Sequence, residues 1–182
     1  GIKAGIILLA TGYAIYVTVT NKLANKHALF SFPKTNHWKT VALRFLLLVC
    51  ISLPFMFFFH PDDLFIVARK NLGMLIGISF FYSVFSVFPQ EFLYRTFFYT
   101  RYADLFPNRF VLIFANAFIF SLAHIVFLNG LVLAITFVGG IIFSLTYFKT
   151  KSVLITSVEH SIYGCWIFAV GMGEMLAFPM PT

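Results

Sequence analysis

Six runs of apolar residues follow one another along the chain, separated by short polar segments. They cover roughly residues 4–20, 41–59, 73–100, 110–128, 130–148 and 152–172. A helix needs about 20 mostly apolar residues to cross the hydrocarbon core of a bilayer, and these runs approach that length. The pattern therefore predicts an all-α protein, a polytopic bundle of about six transmembrane helices, in which residues 1–182 form a single transmembrane domain.

The polar segments predict where the helices end. The longest, residues 21–40, is a polar and basic loop, and turn residues separate later runs at Pro107-Asn108 and Asn129-Gly130. The third run is too long for a helix perpendicular to the membrane and contains Pro89, so we expect a kinked or tilted helix there. Gly139-Gly140, inside the fifth run, predicts close helix packing rather than a ligand loop.

The composition agrees with this pattern. The chain is 60% apolar and 10% charged, whereas a soluble domain is nearer half apolar and a quarter charged. The excess apolar surface is expected to face lipid. Cys50 and Cys165 both lie inside apolar runs and are predicted to be free thiols.

The net charge of +7 first suggests a nucleic-acid partner. The lysines and arginines, however, lie mostly between the apolar runs, as membrane orientation requires. We therefore predict the lipid bilayer, and no nucleic acid, as a partner.

With six spans, the positive-inside rule places both termini outside and the loops near 21–40, 101–109 and 149–151 in the cytoplasm. One span more or fewer would reverse this orientation.

Five ionisable residues interrupt the apolar runs: Glu91, Arg95, His124, Glu159 and His160. An unpaired charge in the middle of a membrane costs about 3 kcal/mol or more, so such residues face a cavity or each other. Arg44 is set apart from this group, because it lies near a helix end and its long side chain can reach the interface.

Three of these residues are predicted to lie at comparable depth. At about 1.5 Å per helical residue, Glu91 is ~15 Å from the nearest cationic loop residue, His160 ~14 Å and His124 ~22 Å. Three separate helices would thus bring one carboxylate and two imidazoles to a central polar cavity near the middle of the bilayer.

Structural roles remain open for the same residues. Glu91 and Arg95 are four residues apart and could form a purely structural ion pair. His124 could bond to a neighbouring helix. Glu159 and His160 point about 100° apart, so only one of them can point squarely at a shared cavity.

Asn116, Phe120 and His124 share one helix face and could either line a site or join helices. The sequence contains no HExxH pattern, so a metalloprotease helix is not supported. A zinc site built from Glu91, His124 and His160 remains chemically possible, but we expect neither a metal nor an organic cofactor.

Three short motifs carry a family resemblance. The third run contains Gln90-Glu91-Phe92-Leu93-Tyr94-Arg95, the fourth contains Phe120 four residues before His124, and the sixth contains His160 four residues before Gly164. In order and spacing these segments resemble the EExxxR, FxxxH and HxxxN motifs of the CPBP family of glutamic-type intramembrane endopeptidases. That family includes the type II CAAX prenyl endopeptidases and the bacteriocin-processing proteins. The resemblance covers residues 75–170, which we take as the catalytic core.

Two positions depart from the family pattern. Gln90 stands where the family has its first Glu, which is usually assigned the catalytic role. Glu91 acts in its place, or the chain is inactive, or Gln90 is an engineered change; we favour Glu91. The string "PQEFLYR" resembles a bacterial subgroup that processes C-terminal sorting signals. Gly164 replaces an Asn that would bind the oxyanion, and Asn116, Tyr163 or a backbone N–H are the candidates to replace it.

The resemblance implies a peptidase mechanism without metal. Glu91 would act as general base on a water molecule, and His124 would position that water or share its proton. His160 would donate to the oxyanion, and Arg95 would orient Glu91.

The implied substrate is a membrane protein or lipidated peptide cut near its C-terminus. It would be a prenylated tail or, as the subgroup suggests, a bacterial sorting signal in the inner membrane. The alternative is a non-catalytic family member, a transporter or an immunity factor that binds a peptide.

Overall fold

The computed structural model describes residues 2–20, 30, 32 and 37–174, and every regular element in these ranges is helical. We number the helices in chain order: α1 Ile2–Thr20, α2 His37–Phe59, α3 Ile66–Lys70, α4 Leu72–Leu105, α5 Arg109–Leu122, α6 Gly130–Thr150 and α7 Val153–Val170. The predicted all-α fold is confirmed. Most of the predicted loop at 21–40 lies outside the described residues, and α2 already begins at His37, before the predicted end of that loop.

Five helices are long and apolar enough to cross a membrane: α2, α4, α5 with its extension to Phe127, α6 and α7. The 19-residue helix α1 coincides with the first predicted span. Large apolar side chains such as Phe57, Phe58 and Phe59 are exposed on the outside of the bundle, where lipid rather than water is the compatible solvent. Cys50 and Cys165 are free thiols, as predicted.

Polar caps begin each of the last four long helices. Asn71 accepts a hydrogen bond from the backbone N–H of Met74 at the start of α4, and Ser152 accepts one from Ile155 at the start of α7. Asn108 and Asn129 each accept from two backbone N–H groups, at the starts of α5 and α6. These caps satisfy N–H groups that have no intrahelical partner, and they confirm the turns predicted at 107–108 and 129–130.

Helix α4 is irregular on both sides of Pro89. Two π-helical stretches, Tyr82–Val87 and Phe92–Phe97, flank a single α-helical turn, Phe88–Glu91. Proline lacks an N–H and cannot complete the regular ladder, and π-helical turns inside α-helices occur frequently at functional sites. The irregularity predicted at Pro89 is therefore present as two local changes in helical winding, one on each side of the residue.

Two features of the packing place the site. Gly140 of α6 lies so close to α5 that a Cβ atom there would be 2.9 Å from the Cα atom of Ala117, which confirms the predicted close packing at this glycine. Helix α7 is the most buried of the five spanning helices. Its polar residues therefore have to find partners inside the bundle rather than in solvent.

Candidate functional site

A buried carboxylate–imidazole pair joins α4 to α7. The Oε1 atom of Glu91 lies 2.8 Å from the Nδ1 atom of His160. Glu91 is fully buried, and His160 is 7% exposed. Since an ionised carboxylate only accepts hydrogen bonds, Nδ1 carries the proton in this contact, and in the neutral imidazole Nε2 then holds the lone pair. The two residues that were predicted to share a depth in the membrane are in direct contact.

Arg95 holds the other side of the carboxylate. Its Nε atom lies 3.4 Å from Oε2 of Glu91. Its terminal nitrogens donate to Oδ1 of Asn116 at 2.9 Å and to the carbonyl oxygen of Gly140 at 3.5 Å. The guanidinium group also lies over the ring of Phe120, 4.7 Å from its centroid. Arg95 thus connects α4 to α5 and α6, and it has the position expected of a residue that orients Glu91.

Asn116 makes three hydrogen bonds within this network. Its Oδ1 atom accepts hydrogen bonds from Arg95 and, at 2.9 Å, from the hydroxyl of Ser144, while its Nδ2 atom donates to the carbonyl oxygen of Tyr94 at 2.6 Å. The residue is fully buried and does not line the cavity beside His160. The prediction that Asn116 could replace the missing oxyanion donor is therefore wrong, because the side chain is buried away from the cavity and is held there by Arg95, Ser144 and Tyr94.

A cavity of about 610 Å³ opens beside His160. Its wall is mostly apolar and comes from α2, α4, α5, α6 and α7, with polar contributions from Tyr82, Gln90, His124 and His160 among others. Glu91 is fully buried and is absent from this wall, whereas His160, to which its carboxylate is hydrogen-bonded, is part of it. Removal of a proton from a cavity water by Glu91 itself, as predicted, does not fit this geometry, because the residue that lines the cavity is its partner His160.

His124 lies on the same cavity wall. It follows the last regular turn of α5 and lines the cavity together with Phe120, whereas Asn116, predicted on the same face, does not. Its Nδ1 atom donates to the carbonyl oxygen of Phe120 at 2.8 Å. The ring of Phe120 packs against both imidazoles, with its centroid 4.8 Å from that of His124 and 5.8 Å from that of His160.

Gln90 also lies on the cavity wall and is 8% exposed. Its Nε2 atom donates to the hydroxyl of Ser86 at 2.8 Å. Its Oε1 atom is buried without a hydrogen-bond partner within the part of the chain that the structure describes. A buried carbonyl oxygen of this kind needs a hydrogen-bond donor, which water or a ligand can provide.

Tyr82 is a site residue that was not predicted from the sequence. Its hydroxyl oxygen lies 3.1 Å from Nε2 of His160, and its ring lines the cavity. The sequence feature that could have indicated Tyr82 is Gly164, the position that departs from the family motif. A Cβ atom at Gly164 would overlap the Tyr82 phenol, so the glycine makes room for it.

Glu159 belongs to a separate cluster. Its carboxylate accepts hydrogen bonds from Arg44 at 2.9 Å, from Thr146 at 2.5 Å and from Tyr163 at 2.8 Å. Only His160 of the adjacent pair faces the cavity, as predicted. The interpretation of Arg44 as a residue that reaches the interface is wrong, because its guanidinium pairs with this fully buried carboxylate.

Tyr163 was the second candidate oxyanion donor. Its hydroxyl oxygen lies 2.8 Å from Oε1 of Glu159 and 3.1 Å from the carbonyl oxygen of Val41. The single hydroxyl proton is therefore engaged within the second cluster, and this prediction is wrong as well.

The zinc alternative needs three ligands around one point. Across residues 2–20 and 37–174, no three His, Cys, Asp or Glu side chains are grouped in this way. Glu91 and His160 bond directly to each other, and His124 uses Nδ1 for a backbone carbonyl. The donor set in these ranges does not fit a zinc ligand set.

Comparison with known proteins adds a family. Residues 72–166 match the family described as Type II CAAX prenyl endopeptidase Rce1-like, which is slightly more than half of the 182-residue chain. The matched region contains all three motifs. No curated protein matches the chain significantly, and no solved structure does.

Proposed function

Because the chain belongs to the family of type II CAAX prenyl endopeptidases described as Rce1-like, we propose that it is an intramembrane endopeptidase that removes a C-terminal peptide from a membrane-associated protein. One observation carries the proposal. The buried Glu91–His160 pair, 2.8 Å apart, presents the second nitrogen of the imidazole to a cavity large enough for a peptide segment.

The proposed base is His160, positioned by Glu91. The carboxylate holds the proton on Nδ1, so the lone pair on Nε2 takes a proton from water as the water oxygen attacks the peptide carbonyl carbon. Glu91 stabilises the imidazolium ion that forms, as the carboxylate of a serine-protease triad does. When the C–N bond breaks, Nε2 returns the proton to the leaving amine. In this form the reaction is still a glutamate-dependent one, although Glu91 acts through a histidine.

His124 and Gln90 are proposed to hold the water. Nδ1 of His124 is engaged with a backbone carbonyl, so its Nε2 atom is an acceptor. The buried Oε1 atom of Gln90 is an acceptor too. One proton of the water points to the lone pair of His160 Nε2, and the acceptors of His124 and Gln90 are alternative partners for the other, since water has only two protons to donate. No metal or organic cofactor takes part in this scheme.

The proposed substrate is a bacterial C-terminal sorting tail that enters from the lipid. Ile51 and Val138 line the cavity and are 64% and 55% exposed, so the cavity wall is open at these positions, which supports lateral access for an apolar segment. We further propose that residues 75–170 form the catalytic core, that the protein resides in a bacterial inner membrane, and that both termini lie outside.

The test is peptide cleavage by the purified chain in detergent or vesicles, followed by mass spectrometry. Substrates would be synthetic C-terminal tails with and without a lipid or a transmembrane segment. We expect His160→Ala and His124→Ala to lose about 10²- to 10⁴-fold in rate. His60→Ala, at an exposed loop histidine, is the matched control and keeps its activity. A fully active His160→Ala variant contradicts the proposal.

One observation favours a second function, a peptide-binding family member without catalysis. Gln90 faces the cavity where the family motif carries its first Glu. If the wild-type chain binds tail peptides without cutting them, and Gln90→Glu alone produces cleavage, this second function is correct.

A further inference from the structure

The hydroxyl of Tyr82 lies at the reacting face of the cavity. Its oxygen is 3.1 Å from Nε2 of His160, the atom proposed to accept the proton of water. The ring is held by edge-to-face contacts, with centroids 4.7 Å from Phe168 and 6.0 Å from His160. Tyr82 is also the first residue of the first π-helical stretch of α4. The phenol is therefore placed rigidly, as a catalytic donor has to be.

The Tyr82 side chain occupies the space that a side chain at position 164 would need. It lies one helical turn after His160 and on the same face of α7. The three atoms nearest to a Cβ built at Gly164 are the hydroxyl oxygen and two ring carbons of Tyr82, all within overlap distance. A side chain at position 164 and the phenol of Tyr82 cannot both occupy this space. The phenol fills the volume in which a side chain at position 164 would begin.

We propose that Tyr82 is a catalytic residue: its hydroxyl donates the hydrogen bond that stabilises the tetrahedral oxyanion, in place of the side chain that Gly164 lacks. This proposal rests on the proposed peptidase function. Tyrosine hydroxyls are among the side chains that serve in oxyanion holes. The two residues suggested from the sequence for this role, Asn116 and Tyr163, are committed elsewhere.

The same hydroxyl also links substrate binding to activation of the base. Without substrate, the Tyr82 O–H donates to the lone pair on Nε2 of His160. When a peptide carbonyl arrives, the O–H turns to the carbonyl oxygen and releases that lone pair.

Water then forms the new O–C bond, its proton goes to Nε2, and the carbonyl π electrons become the oxyanion lone pair. Tyr82 keeps its own proton throughout. Collapse of the intermediate breaks the C–N bond, and the amine nitrogen takes the proton from Nε2. No oxidant, metal or covalent enzyme intermediate is needed to balance this sequence.

The first test is Tyr82→Phe, which removes the hydroxyl and keeps the ring. We expect kcat to fall about 10²- to 10³-fold, as for the loss of one oxyanion donor, with little change in KM. Binding of a peptide phosphinate, which imitates the tetrahedral intermediate, is expected to weaken by a similar factor. Binding of a product peptide, which has no tetrahedral centre, stays unchanged. Tyr102→Phe, at the exposed end of α4, is the matched control.

The second test replaces the hydroxyl donor of Tyr82 with an amide donor at position 164. Gly164→Asn alone overlaps the Tyr82 ring, so it loses activity. In the Tyr82→Ala/Gly164→Asn double variant the space is free and the amide can take over the role. We expect this variant to be at least tenfold more active than Tyr82→Ala, a non-additive result that neighbouring residues can show. Circular dichroism and thermal unfolding verify that each variant is folded.

The outcomes separate the two proposals. A wild-type chain that cuts no peptide overturns the peptidase function and this assignment with it. If the wild type cuts and Tyr82→Phe stays within threefold of it, only the role of Tyr82 is overturned. A peptidyl ester trapped on the Tyr82 oxygen would identify a nucleophile and would also overturn the donor role.

Discussion

Removing the charge of Arg95 tests the network that holds the site. In Arg95→Met the side chain keeps an extended apolar shape but leaves the Glu91 carboxylate buried beside His160 alone. In the unaltered protein the Nε atom of Arg95 and the Oε2 atom of Glu91 are 3.4 Å apart, and neither side chain is exposed. At an effective dielectric constant of about 20, two unit charges at this distance attract by about 5 kcal/mol. Because a carboxylate without its cation stays buried, we expect a loss of about 3–5 kcal/mol in the free energy of unfolding.

The assay is a titration with sodium dodecyl sulfate in mixed micelles, followed by circular dichroism. The matched variant is Glu91→Gln/Arg95→Met, which removes both charges. Replacing both members of a buried pair leaves no uncompensated charge, so this variant is expected to regain at least half of the stability that Arg95→Met loses. If Arg95→Met costs less than about 1 kcal/mol, or the double variant is the less stable of the two, the reasoning is refuted.

Three further predictions concern the scaffold and use the same titration. Gly140→Ala forces α5 away from α6 and is expected to cost about 1–3 kcal/mol, whereas Gly77→Ala, with open space at its Cβ position, is neutral or stabilising. Arg44→Met leaves a fully buried carboxylate unpaired and is expected to cost about 3 kcal/mol, while the exposed Arg69→Met changes stability by less than about 0.5 kcal/mol. Leu128→Gly is expected to stabilise by about 1 kcal/mol, because Leu128 is 92% exposed and has a left-handed backbone with φ 51°; an unchanged or lower stability contradicts this.

The helical architecture was predictable because lipid imposes a simple rule on sequence. A backbone inside a bilayer has to satisfy its own hydrogen bonds, so each span is a long apolar run, and the runs coincide with α1, α2 and α4–α7. The caps were visible too, as Asn108 and Asn129 between runs. The winding of α4 was not, because a proline signals an irregular helix without specifying which turns rewind around it.

The site was predictable in its residues and only partly in its geometry. Periodicity and depth brought Glu91 and His160 to the same level, and they touch. The sequence did not reveal that His160 lines the cavity while Glu91 does not, because this depends on the contact of α4 with α7. Arg44 was misjudged for a similar reason: its partner Glu159 is distant in the chain. Tyr82 was overlooked because its role depends on the absence of a side chain at another position.

The most direct test of the account asks whether Glu91 works only through His160. Cleavage rates would be measured for Glu91→Gln, His160→Ala and the double variant under single-turnover conditions, with stability checked for each. If the carboxylate acts by positioning the imidazole, the double variant is no slower than His160→Ala, since residues that act as a unit are non-additive. If the two losses multiply, Glu91 acts on the substrate or water independently of His160, and the account is wrong.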